Sequence, residues 1–228
     1  MYIILLAAGL SRRMGEANKL LLPYGSKTIL ETTLENIIAA NIGDIVVVIG
    51  HEPEKVRAVL EKYPNIFIVE NKNYAQGMTS SIQAGIGLTD VGLTDNGQSK
   101  TGKSNVSKSN ISTSTTGFMI CLSDMPLIQP SIYKLIADFF SENLKRDEKT
   151  IVQPQFNKIA GNPIIFSNFY KKEILEHTAP EGCRDIVQKH KAHLKKIEMP
   201  TDSILRDIDN REEYNKLTSI NSVVNCQL

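Results

Sequence analysis

Tyr2-Ile-Ile-Leu-Leu-Ala-Ala-Gly-Leu-Ser-Arg-Arg-Met-Gly-Glu-Ala-Asn-Lys19 opens the chain. Residues 2–7 are apolar and partly β-branched, the composition of a strand covered on both faces. The run gives way at once to small residues, a glycine, two arginines and a lysine. Such a loop is how an α/β protein holds a polyphosphate. Glycine lets the backbone approach the phosphates, loop N–H groups point inward, and Arg or Lys supplies charge. This is not a Walker loop, because no Gly-Lys-Ser/Thr follows, and not GxGxxG, because a single glycine precedes the arginines. Its strength lies in position: it leaves the carboxyl end of the first strand, where open α/β sheets bind ligands.

Working outward, strands and helices alternate. Thr28 can cap a helix to about Ala40, with Ile29, Leu30, Thr33, Leu34, Ile37 and Ile38 on one face. Asp44–Gly50 reads as a buried strand, Pro53–Lys62 as a helix, Asn65–Glu70 as a third strand and Ser80–Leu88 as a short helix. Gly117–Leu122 is another buried strand and Gln129–Phe140 an amphipathic helix. This rhythm predicts an α/β fold, a three-layer α/β/α sandwich on a mostly parallel sheet. Farther on, 151–154 and 162–166 suggest a hairpin-like excursion. Residues 167–175 and 184–191 suggest helices, 193–199 a strand, 204–208 an extended piece and 211–217 a terminal helix.

Eighteen of the 27 residues in 91–117 are Ser, Thr, Asn or Gly, too polar to offset their ordering entropy. The expectation is one domain over 1–217, with 91–117 as a flexible surface insertion and 218–228 as a frayed tail. A net charge of +1 leaves no general basic field for nucleic acid and no polybasic membrane anchor. No apolar stretch reaches the roughly 18 residues that span a bilayer. Cys121, Cys183 and Cys226 form no CxxC pair and suggest reduced thiols in a cytoplasmic protein.

Two further groups carry chemistry. Asp124 follows a buried strand and precedes Met-Pro, which puts a carboxylate at the ligand edge of the sheet. Asp207 and Asp209 share one face of an extended segment, Asp209 being the stronger candidate. Carboxylates beside a triphosphate suit Mg²⁺ or Mn²⁺. The plainer roles are a turn former at Asp124 and a helix cap at Asp209-Asn210. Ser80 and Ser81 either donate to a nucleotide or cap their helix. His51 reads as structural, and Cys183 has no partner base that would make it a nucleophile.

The segment Leu6-Ala-Ala-Gly-Leu-Ser-Arg-Arg-Met-Gly-x-x-Asn-Lys-Leu-Leu-Leu-Pro23 resembles the signature of nucleotidyltransferases with the GT-A-like, MobA-type fold. Within them it is most similar to the MocA-like molybdenum cofactor cytidylyltransferases. Gly77-Met-Thr-Ser-Ser81, Leu122-Ser-Asp-Met-Pro126, Gly161-Asn-Pro163, Gly182-Cys-Arg184 and Asp207-Ile-Asp209 resemble later family motifs, in order. The likeness spans nearly the whole chain outside 91–117 and the tail. It departs at Asn162, where the family usually has His, and at Asn210-Arg211, where it has Thr-Pro.

The resemblance implies a Rossmann-like nucleotide-diphospho-sugar transferase fold and Mg-dependent transfer of CMP from CTP to the phosphate of molybdenum-molybdopterin. It implies Arg13 and Lys19 as catalytic. Leu6, Ala7, Ala8, Gly9, Ser11, Arg12, Arg13, Lys19, Gly77, Ser80 and Ser81 would bind nucleotide, and Asp124 and Asp209 would bind the metal. Asn162, Gly182 and Arg184 would meet the acceptor, and a molybdenum hydroxylase would be the client. Ala8, where the guanylyl branch has Gly, narrows the space beside the base and favours CTP over GTP. The alternatives are a sister transferase using GTP or CTP with another phosphate acceptor (guanylyl-molybdopterin, sugar phosphate or methylerythritol phosphate) and a non-catalytic cofactor carrier.

Overall fold

The computed structural model describes residues 1–11, 14, 18–89 and 115–224, with side chains through 218. The polar insertion therefore lies outside the described residues except at its end, where Gly117 starts a strand. Strand β1 (Tyr2–Ala7) is followed by a two-residue ribbon, β2 (Pro23–Tyr24) and β3 (Lys27–Thr28). Then come α1 (Ile29–Ala40), β4 (Asp44–Ile49), α2 (Pro53–Leu60), β5 (Ile66–Glu70), α3 (Met78–Leu88), β6 (Gly117–Leu122) and α4 (Pro130–Leu144). The second part holds β7 (Ile151–Phe156), β8 (Ile159–Ala160), β9 (Ile164–Ser167), α5 (Lys171–Glu176), α6 (Arg184–Lys189), β10 (Leu194–Glu198) and α7 (Arg211–Val224).

The main sheet runs β10-β7-β9-β6-β1-β4-β5, with β8 paired to β7. Neighbours β1, β4, β5 and β6 are parallel, as are β7 and β10. Strand β9 enters antiparallel to both β6 and β7. The anticipated hairpin-like excursion is thus part of the sheet itself, because β9 closes the gap between the parallel strands and the β7 edge.

Alternation along β1 builds both layers. Ile3, Leu5 and Ala7 face one core with α1, α2 and α4, whereas Tyr2 and Ile4 face another with α3, α5 and α6. This is the expected three-layer sandwich. Helix α1 starts as read: Thr28 Oγ1 accepts from Glu31 N–H and the Glu31 carboxylate accepts from Thr28 N–H, a complete capping box.

Two expectations need correction. The stretch expected to extend from Ile204 begins inside a 3₁₀ turn, Asp202–Leu205. Helix α7 continues to Val224, past Leu217. Leu217 is buried with Ile29 and Ile208 in a small third core, and Tyr214 donates to Pro23 O at 2.8 Å. These contacts, rather than local periodicity, hold α7 against the start of α1. Among the described residues no helix is long and apolar enough to cross a membrane.

Candidate active site

Parallel pairing puts the carboxyl ends of β1, β4 and β6 on one rim, with Ala7 opposite Ile49 and Leu6 opposite Leu122. A cleft of about 560 Å³ opens there. The loop after β1 supplies Ala8, Gly9, Leu10, Ser11 and Lys19; the turn before α3 supplies Tyr74, Ala75, Gly77 and Met78. Ser123 and Asp124 come from the end of β6, and Asp207 and Asp209 from the segment before α7.

The loop is held from within. Ser11 adopts φ 50°, the left-handed region, which costs a non-glycine residue roughly 1–3 kcal/mol and persists where surrounding structure imposes it. Its carbonyl accepts from Met14 N–H at 2.9 Å and its Oγ from Lys19 N–H at 3.2 Å. Asn18 caps the 3₁₀ turn Lys19–Leu21 by accepting from Leu20 N–H at 3.2 Å. Lys19 is thereby aimed at the acids.

Its Nζ lies 2.6 Å from Asp124 Oδ2 and 2.7 Å from Asp209 Oδ1, with the lysine side chain only 12% exposed. Burial alone would lower the Lys19 pKa; the Asp124 and Asp209 carboxylates outweigh it and hold the ammonium above its ordinary value. Asp207 is pushed up, first by burial and then by the charges of Asp124 and Asp209.

The acidic segment is placed by alternation. Ile208 is fully buried, so Asp207 and Asp209 on either side turn to the cleft. Ile208 N–H donates to Asp124 O at 3.0 Å, which pins the segment to the end of β6. Asn210, not Asp209, caps α7: its Oδ1 accepts from Glu213 N–H at 2.9 Å, and Glu213 Oε2 accepts from Asn210 N–H at 3.2 Å. That leaves the Asp209 carboxylate directed at Lys19.

Carboxylate oxygens of Asp124, Asp207 and Asp209 lie within 4.8 Å of one another. Asp124 Oδ1 is buried and has no hydrogen-bond partner among the described residues. An orphaned buried oxygen within a set of hard donors fits Mg²⁺ or Mn²⁺. Asp207 belongs to this set, although its sequence signal was the weaker of the pair.

The predicted nucleotide residues divide. Leu6, Ala8, Gly9, Ser11, Lys19, Gly77 and Ser81 line the cleft. Ala7 does not, because alternation turns it into the core below the sheet. Ser80 Oγ lies 2.8 Å from Gly77 O and 3.0 Å from Asn73 O and shares its one proton between them, which places it outside the lining. Ser81 Oγ accepts from the buried Asn71 amide at 3.0 Å, which leaves its own proton for the cleft. Arg12 and Arg13 lie outside the described residues.

Asn162, Gly182 and Arg184 are not among the lining residues. Asn162 N–H is spent on Ile204 O at 3.0 Å, and Gly182 N–H on Thr79 Oγ1 at 3.0 Å. Tyr74 and Met78 were missed as individual residues; the Gly-Met motif was the only signal near them. Gly77 there has φ 113°, and a Cβ would stand 2.5 Å from Pro180 O, so glycine is required. His51 sits at the rim, its N–H on Ala8 O at 3.3 Å and its ring 6.1 Å from that of Tyr74. Cys183 is a buried free thiol whose pKa burial pushes up to about 12, which makes it a poor nucleophile.

A family model described as "MobA-like NTP transferase domain" matches residues 3–194. The chain is 24% identical over 211 residues to the molybdenum cofactor cytidylyltransferase of Escherichia coli (strain K12), covering 92% of each. It is 26% identical over 226 residues to a probable molybdenum cofactor guanylyltransferase of Methanosarcina acetivorans, covering 96% of this chain and 85% of that protein. The crystal structure of Rv0371c from Mycobacterium tuberculosis H37Rv in complex with manganese superposes with a TM-score of 0.66 at 18% identity. That superposition covers 96% of this chain and 97% of the other, and the two share one fold.

Proposed function

The chain belongs to the MobA-like NTP transferase family, and from that premise we propose that it transfers CMP from CTP to the phosphate of molybdenum-molybdopterin, releasing pyrophosphate. The observation that carries this reading is the Lys19 ammonium held between Asp124 and Asp209 at the sheet rim, beside the Gly9–Ser11 loop. A cation and an acid set meeting at the mouth of a glycine loop is what a triphosphate and its metal require.

An oxygen of the acceptor phosphate attacks the α-phosphorus in line, and the bond from that phosphorus to the bridging α–β oxygen breaks. The acceptor is already ionised, so no strong general base is needed. The protein contributes positioning and charge neutralisation. Gly9 and Ser11 border the β- and γ-phosphates, and Lys19 turns to the α-phosphate, where negative charge grows. Arg13, by resemblance, offsets charge on the departing pyrophosphate. Asp124 and Asp209, with Asp207 beside them, would hold Mg²⁺ or Mn²⁺. Such an ion supplies charge stabilisation to the phosphate oxygens.

Ala8 supports CTP. It lines the cleft, and its Cβ occupies space that a glycine would leave open. GTP is the second reading, supported by the likeness to a protein named as a guanylyltransferase. Pyrophosphate release with Mg²⁺, molybdenum-molybdopterin and either CTP or GTP tests both readings. Faster release with CTP is expected. Faster release with GTP overturns the base assignment, and no release with either nucleotide overturns the transfer.

A further inference from the structure

We propose that Lys19 is the built-in counter-ion of the Asp124–Asp209 pair. A nucleotide must draw it off before a divalent cation can take its place, so metal and nucleotide bind together and metal alone is held weakly. This inference rests on the reading of Asp124 and Asp209 as metal ligands.

The geometry is one of competition. Lys19 Nζ stands 2.6 Å from Asp124 Oδ2 and 2.7 Å from Asp209 Oδ1. Both oxygens are hard donors of the kind Mg²⁺ takes, so a divalent cation held by Asp124 and Asp209 would compete with the ammonium for them. Moving the ion aside leaves two like charges nearly in contact in a mostly buried site, where water screens them poorly.

The lysine is built to exchange. Its backbone N–H is fixed by Ser11 Oγ, and its neighbour Leu20 is buried, so the Cα is anchored. Only the four-carbon stem has to swing. The direction open to it is the cleft, which Lys19 lines together with Gly9 and Ser11. A triphosphate arriving there offers the ammonium new anionic partners. One positive charge then leaves the carboxylates as two arrive.

Mn²⁺ titration followed by the electron paramagnetic resonance of the free ion reads this directly. Without nucleotide, Lys19→Met and Lys19→Gln should bind Mn²⁺ at least tenfold more tightly than the unsubstituted protein. Lys19→Arg, still cationic, should stay weak. With the Mn²⁺ taken up by CTP alone subtracted by means of a protein-free titration, adding CTP should tighten Mn²⁺ strongly in the unsubstituted protein and little in Lys19→Met or Lys19→Gln. Asp124→Asn should remove the tight site from the Lys19→Met background. Circular dichroism identifies whichever neutral variant is folded.

Equal Mn²⁺ affinity with and without Lys19, at a site still lost in Asp124→Asn, overturns this inference and leaves the metal site standing. Mn²⁺ binding that ignores Asp124→Asn even with CTP present overturns the metal reading, and this inference with it.

Discussion

Single side chains at the rim carry separable consequences. Among the described residues Lys19 is the cation set between Asp124 and Asp209, and if it meets the α-phosphate as proposed, removing one such electrostatic contact typically costs about 10²–10³ in turnover. Lys19→Ala is expected to lose that much in kcat with CTP, and Asp124→Ala at least as much. Near-normal kcat in either would discredit the proposed site. Gly9 allows a cleaner separation of binding from folding. Among the described residues a Cβ there meets no atom within 4 Å, and its φ is not in the left-handed region. Gly9→Ala should therefore melt within about 0.5 kcal/mol of the parent. If Gly9 borders the phosphates as proposed, the KM for CTP should rise, because the added methyl stands between backbone and phosphate. A fall in thermal stability with KM unchanged would reverse this assignment.

At the level of elements, the site depends on how α7 begins. Asn210 and Glu213 satisfy each other's backbone N–H, and Glu213 Oε2 also accepts from Asp209 N–H at 2.8 Å. Asn210→Ala should cost about 0.5–2 kcal/mol in urea unfolding, the usual loss for a cap. It should also weaken Mn²⁺ binding in the presence of CTP, because Asp209 is oriented by the same cap. Thr28→Ala removes the corresponding cap of α1, away from the cleft. It should cost a similar amount and leave Mn²⁺ binding unchanged. If both substitutions weaken the ion equally, the cap at α7 has no special part in the site.

For the molecule as a whole, buried and half-buried carboxylates outside the cleft set the acid limit. Burial would raise Asp147, but its contact with His193 at 2.8 Å and the Lys149 N–H hold it below its ordinary value. Glu173 is likewise lowered on balance, with Lys189 and His190 outweighing burial. Glu31 and Glu35 follow the same pattern beside Lys62 and Lys27. Because the folded values lie below the unfolded ones, near 4, the unfolded chain takes up protons first. The stability these groups provide is complete above about pH 5 and is lost as pH falls through their lowered values. Melting temperature should thus be flat on this account from neutrality to about pH 5 and fall steeply below about pH 4. Asp147→Asn should flatten part of that fall. A melting temperature that rises between pH 4 and 3 would contradict the sign.

Much of this molecule was legible residue by residue. An apolar strand opening into Gly9–Lys19, the cap at Thr28, the buried runs 44–49 and 117–122, and Asp124 after a strand all follow from interactions within a turn or two, which the order of residues encodes directly. Other features arise only on folding. Lys19 meets Asp209 across 190 positions, and Asp207 joins the acid set because Ile208 is buried between them. Ser80 turns back to its own backbone, and β9 slots antiparallel into the sheet. Each of these depends on which loops the strand order brings to one rim and which side chains the three cores claim. Periodicity is a local property and cannot carry such long-range convergence.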